Sequence, residues 1–141
     1  MFRFVSRFGG VILALCCISP AFAQSAKEPG KAIVSIYRVA PGKHVDFLKW
    51  MAARDALGKE AGVAATQWYA HQDGDSWDYV AIAPDTTAEQ DKKLDELAKA
   101  KGLTTGFRAG LELRQFMASH TDTVARGPIS AGELVEMASA K

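Results

Sequence analysis

The rhythm of apolar and polar positions changes several times along this chain, and each change marks an element. From Lys31 to Val39, KAIVSIYRV, β-branched and aromatic residues follow one another at strand length. Ile33, Ser35, Tyr37 and Val39 fall on one face, and Ala32, Val34, Ile36 and Arg38 on the other. Both faces are largely apolar, so both are expected to be covered. Ala40-Pro41-Gly42-Lys43 ends the strand. A helix is predicted from His44 to about Lys59, with Val45, Leu48, Met51 or Ala52, and Ala56 at helical spacing. Phe47 and Trp50 broaden that stripe, and Gly58 and Gly62 are stop signals.

The stretch Gly62–Pro84 reads as a hairpin around which the rest is organised. Two runs of aromatic and aliphatic residues flank Asp73-Gly74-Asp75-Ser76. A four-residue loop there pairs Gln72 with Trp77 and sets His71 opposite Asp78; a slip of one residue sets His71 opposite Trp77 instead. The next helix is expected to open at Thr86 or Thr87, through a capping box with Glu89, and to close at Gly102. Leu94, Leu97 and Ala98 form its apolar stripe. A third helical pattern covers about Thr105 to His120, with Arg108, Glu112, Gln115 and Ser119 as its polar face and Phe107, Leu111, Leu113, Phe116 and Met117 as the remainder. Thr121–Arg126 is a candidate last strand, stopped by Gly127-Pro128. Ser130-Ala131-Gly132-Glu133 fits a second capping box, opening a short C-terminal helix with Leu134, Val135 and Met137.

The order strand, helix, strand, strand, helical region, strand predicts an α+β fold. It is the split βαβ pattern, a four-stranded antiparallel sheet with helices on one face. In such a layer the second sheet face is bare, and an apolar bare face predicts a homodimer, with the C-terminal helix as the rival cover.

The N-terminal rhythm is different. Arg3 and Arg7 precede an apolar run, Gly9–Ile18, and Ala21-Phe22-Ala23 fits a small-x-small cleavage pattern. Residues 1–23 are therefore expected to be a cleaved signal peptide, with Gln24 as the new N-terminus, residues 24–30 a flexible leader and residues 31–141 one domain. The run is short for a membrane anchor. A lipoprotein at Cys16 is disfavoured by the large Leu15 before it. Export to a periplasm or the exterior follows as an expectation. Cleavage would remove both cysteines, leaving no disulfide and no thiol nucleophile. It would also remove Arg3 and Arg7, leaving 15 basic side chains against 16 acidic ones. That balance argues against nucleic acid or an anionic membrane surface as partner.

Candidate chemistry centres on the histidines. His71 with Asp78 could form an oriented imidazole–carboxylate pair, or His71 could simply be a polar residue at a hairpin tip. His120 and Asp122 form a second group, with Arg126 on the face of Asp122. His120 would sit at a helix end, where the dipole favours a cation, or could join Asp122 and His71 at one cavity if the last strand lies inside the sheet. His44, in the first turn of its helix, is expected to face solvent. Tyr37, Trp68, Tyr69, Trp77 and Tyr79, together with Trp50, could line a pocket for an apolar or aromatic ligand, or serve the core and a subunit interface. Arg114 and Arg38 are candidates for a ligand carboxylate. No HExxH, CxxC, phosphate loop or G-x-S-x-G elbow occurs, so neither a metal nor a cofactor is expected.

KAIVSIYRVAPGKHVDFLKWM and QWYAHQDGDSWDYVAIAP resemble the first strand, turn and helix, and the central hairpin, of dimeric α/β-barrel proteins, a ferredoxin-like superfamily. The resemblance spans about residues 31–126. That group includes antibiotic-biosynthesis monooxygenases, haem-handling enzymes, EthD-like and NIPSNAP-like proteins. The resemblance implies a homodimer, and three functions follow as alternatives: binding of a small apolar or aromatic ligand, a cofactor-independent monooxygenase or haem-handling enzyme, and a structural interaction module. Under the enzyme alternative, His71, Trp68 and His120 are the residues to test.

Overall fold

The structure is a computed structural model that describes residues 30–140. The signal peptide and nearly all of the leader expected from the sequence lie outside the described residues. The elements run β1 (Lys31–Val39), α1 (His44–Ala61), β2 (Gln67–Ala70), β3 (Tyr79–Pro84), α2 (Ala88–Ala100), α3 (Gly106–Arg114), β4 (Met117–Arg126) and α4 (Ala131–Ser139). The strands form one antiparallel sheet in the order β2-β3-β1-β4, the split βαβ arrangement of a ferredoxin-like α+β fold.

The hairpin register is the one that a four-residue loop dictates. Trp68 pairs with Ala81 and Ala70 with Tyr79, and the ladder closes with the His71 amide donating to the Asp78 carbonyl at 2.9 Å. β1 pairs with β3 through Tyr37↔Tyr79 and Ser35↔Ala81, and with β4 through Tyr37↔His120 and Ser35↔Asp122. Paired residues share a face, so Trp68, Tyr79, Ala81, Ser35, Tyr37, His120 and Asp122 all lie on one side.

That side meets α1. Phe47 is fully buried against the rings of Tyr37, Tyr79 and Trp68, at centroid distances of 5.1, 5.7 and 6.3 Å. The buried stripe of α1 is Phe47, Leu57 and Ala61, not the expected Val45, Leu48 and Ala56. Val45 and Leu48 are exposed. The helix is apolar on several sides, so spacing alone leaves its rotation open, and the largest ring decides it. α1 ends at Gly62, whose φ of 79° only glycine adopts cheaply; the Gly62 and Val63 amides donate to the Lys59 and Gly58 carbonyls. α2 opens on a capping box one residue later than expected, Thr87 with Gln90 rather than Glu89. The Gln90 side-chain Nε2 also donates to the Gly62 carbonyl, and Lys101 pairs with Glu60, so both ends of α2 are tied to the end of α1.

The third helix is shorter than its periodicity suggests. α3 stops at Arg114, and Met117–His120 are strand. Tight turns from Gln115 to Glu112 and from Phe116 to Leu113 end it, and the Ala40 amide donates to the Phe116 carbonyl at 2.8 Å. Pairing along the whole of β1 outweighs local helical spacing. His120 is thus mid-strand, away from any helix terminus, and β4 is an edge strand rather than an interior one. Phe107 and Leu111 of α3 are exposed rather than core.

The other sheet face carries Val34, Ile36 and Arg38 of β1, Val80 and Ile82 of β3, Tyr69 of β2, and Thr121 and Thr123 of β4. No helix of the described residues covers it: Ile36 and Tyr69 remain 40% and 51% exposed. α4 has the capping box expected for it, Ser130 with Glu133, yet none of its residues is buried.

Candidate functional site

The site is built on a row of small residues between larger rings. Ala81 and Ser35 separate Trp68 from Asp122 across four strands, which leaves room for the Trp68 ring to lean over and stack on Tyr37 at 5.9 Å and 22°. On the far side the His120 imidazole stacks on the same phenol ring at 6.2 Å and 16°. His120 Nε2 is 3.5 Å from Asp122 Oδ2, two residues along the same strand face. From α1, Asp55 Oδ2 accepts the Trp68 indole N–H at 2.9 Å. Tyr37 is buried, and that desolvation raises its phenol pKa above the ordinary 10. The Ser35 hydroxyl opposes the shift, while the Asp122 and Asp55 carboxylates add to it. The result is a neutral phenol beside a half-exposed imidazole–carboxylate pair. Such a pair can accept and hand on a proton.

A cavity of about 780 Å3 adjoins this cluster through Asp55. Leu57, Val63, Ala83, Leu94, Ala98 and Ala109 are among its apolar lining, with Arg54, Asp55, Lys59, Asp95 and Thr105 among its polar groups. The size suits a small organic molecule. Arg54 carries no signal in the sequence that marks it for a site. Its guanidinium lies 3.9 Å over the Trp50 ring and donates to the Thr104 carbonyl at 3.1 Å. Glu112 Oε2 accepts from the Trp50 indole and the Thr104 hydroxyl and lies 3.8 Å from Arg54. Arg54 Nε is buried without a hydrogen-bond partner. Only the fold joins these residues, since Arg54 and Glu112 are far apart in the chain.

The other candidates lie elsewhere. His71 does not reach the His120 group. It packs at a tilt of 59° against Trp77, 4.9 Å between ring centroids, by the hairpin tip, and its Nε2 is buried with no hydrogen-bond partner. Backbone register sets it opposite Asp78, but the Asp78 carboxylate turns away. Its Oδ2 accepts the Val39 amide at 2.6 Å and its Oδ1 the His44 Nε2–H at 3.3 Å. His44 therefore has a carboxylate partner, where plain solvent exposure was expected. His44, His71, Trp77, Asp78 and Arg38 border an open cleft of about 630 Å3. Tyr79 and Trp68 pack on Phe47, Tyr69 lies on the uncovered sheet face, and Arg114 is exposed at the end of α3. Among the described residues no group of three or more His, Cys, Asp or Glu could hold a metal ion. The lining of the larger cavity contains no His, Cys, Met or Tyr, so it offers haem iron no axial ligand.

No family model matches the chain, and no curated protein does. Solved structures do. SnoaB from Streptomyces nogalater, a cofactor-independent oxygenase, superposes with a TM-score of 0.50 at 16% identity, over 73% of this chain and 97% of its own. A dimeric protein of unknown function with a ferredoxin-like fold from Bacteroides fragilis gives 0.45 at 12% identity, over 69% and 95%. A NIPSNAP domain protein from Burkholderia xenovorans gives 0.44 at 17%, over 72% and 96%. At these identities the likeness is one of architecture alone, the ferredoxin-like fold that the strand order shows.

Proposed function

We propose that this chain is an exported homodimer that binds a small apolar or aromatic molecule in the cavity between α1, α2, α3 and the sheet. The observation that carries the reading is the 780 Å3 space itself, apolar in most of its wall and lined by Asp55, which accepts the Trp68 indole N–H. Export rests on the charged start, apolar run and Ala21-Phe22-Ala23 of the sequence. The homodimer rests on the uncovered apolar sheet face. Native mass spectrometry of protein from an exporting host tests all three: a chain beginning at Gln24, a mass of two chains, and a retained or added aromatic such as 1-naphthol. Ala109→Trp fills the cavity and should abolish binding while circular dichroism stays unchanged. Naphthol binding that survives Ala109→Trp would overturn the cavity as the site.

A second reading, a cofactor-independent oxygenase, is supported by the stacked Tyr37–His120–Asp122 group and by the oxygenase activity of SnoaB. In it His120 is the base that takes a proton from a phenolic substrate, and Asp122 steadies the imidazolium. Oxygen uptake with a hydroquinone, lost in His120→Ala with binding retained, would favour this reading; no uptake by the unaltered protein would leave binding alone.

A further inference from the structure

α4 is a helix with a cap at its start and no buried residue. Ser130 Oγ accepts the Glu133 amide at 3.2 Å, and Glu133 Oε2 accepts the Ser130 amide at 2.7 Å. A capping box adds stability to the first turn of a helix, yet isolated helices of this length are marginal in water. Leu134, Val135 and Met137 are 52%, 65% and 47% exposed. Ala131, Leu134, Val135 and Ala138 follow i, i+3, i+4, i+7 spacing, the stripe of a helix that rests on something. Among the described residues, the sheet face around Val34, Ile36, Val80, Ile82 and Tyr69 is an apolar surface that no helix covers, and every residue of α4 is exposed.

Charge says which occupant suits the pair. The ionised side chains of α4 are Glu133 and Glu136, with no cation among residues 131–139. The strand residues of the open face carry Arg38 and no carboxylate. An acidic helix does not suit an anionic lipid surface, which selects Lys and Arg. It does suit a second copy of this same face, where Glu136 can meet Arg38. We propose that α4 is an exchanged arm: in the homodimer it leaves its own chain after Pro128 and lays Leu134, Val135 and Met137 on the open sheet face of the second copy. The inference rests on the homodimer reading and adds the element that secures it.

The test uses the full chain. Leu134→Ser with Val135→Ser should leave circular dichroism and the thermal profile of the body unchanged, and should raise the dimer dissociation constant by about tenfold or more in sedimentation equilibrium. Glu136→Lys should weaken the dimer, and adding Arg38→Glu should restore it. A photo-cross-linker at Val135 in a mixture of light and heavy isotope-labelled copies should join light to heavy chains. Cross-links only within one copy, or to an unrelated protein, would overturn the proposal. A homodimer indifferent to the double serine variant would overturn the arm and leave the homodimer standing. A full chain that stays monomeric would overturn both.

Discussion

The Asp78 carboxylate holds the Val39 amide at 2.6 Å and His44 Nε2 at 3.3 Å, bridging the end of β1 to the first turn of α1. Partial burial pulls its pKa up. The Val39 hydrogen bond, the His44 hydrogen bond and charge, and the Arg38 charge pull it down and prevail, so it lies below the ordinary carboxylate value. The folded carboxyl is more acidic than the unfolded one. Its stabilisation is therefore present above the unfolded pKa of about 3.9 and is lost as pH falls through the folded value. Asp78→Asn should cost about 1 kcal/mol at pH 7, a Tm about 5 °C lower, and the gap to the unaltered chain should close at acid pH. A constant gap from pH 7 to pH 2 would show that the ionised carboxylate is not what stabilises this corner.

The same corner shows how far the sequence could be read. Loop length and the Asp73–Ser76 turn residues set the hairpin register, because side-chain period and turn geometry allow few alternatives. Register puts His71 and Asp78 opposite each other as backbone. It does not say which way a carboxylate turns, and an unpaired amide at Val39 with a nearby imidazole draws it away. The split βαβ order was legible for the same reason as the hairpin, since strand-length runs and caps are local signals. The end of α3 was not. Residues 115–120 suit a helix locally, and only the distant β1 makes them a strand. Trp50, Arg54 and Glu112 likewise meet through the fold alone.

Tyr37 offers a probe of the site at alkaline pH. Burial, with Asp122 and Asp55 nearby, raises its phenol pKa despite the Ser35 hydroxyl. A raised folded pKa gives stability that is whole below the unfolded value of about 10 and lost as pH rises through the folded value. Ultraviolet titration should show one of the three tyrosines ionising late. Tyr37→Phe should remove that late step and flatten the alkaline loss of stability. A late step that persists in Tyr37→Phe would assign it to Tyr69 or Tyr79.

Phe47 is the residue on which the sheet–helix packing turns. It is fully buried among Tyr37, Trp68 and Tyr79, and Met51 packs beside that cluster. Phe47→Ala should cost about 3–5 kcal/mol, through lost transfer energy and a cavity that three rigid rings cannot collapse into. Phe47→Leu should cost less than about 2 kcal/mol, since most of the volume is kept. Urea melts of the two variants measure the difference. Equal losses would mean that the rings repack freely.

The open sheet face gives the last prediction. Val34, Ile36, Val80, Ile82 and Tyr69 form a contiguous apolar surface, and only Arg38 among its strand residues is charged. Soluble monomers seldom leave such a patch in water. Ile36 sits near its middle, paired with Val80 on one side and Thr121 on the other, and is 40% exposed in the single chain. A glutamate there points into water in a monomer and costs that monomer little. In a dimer that buries the face, the same glutamate is a desolvated and unpaired charge. Ile36→Glu should therefore raise the dimer dissociation constant by about a hundredfold, while the urea midpoint of the dilute monomer barely moves. Association that is unaffected by Ile36→Glu would place the subunit contact elsewhere, at Phe107 and Leu111 of α3 or along the free edge of β4.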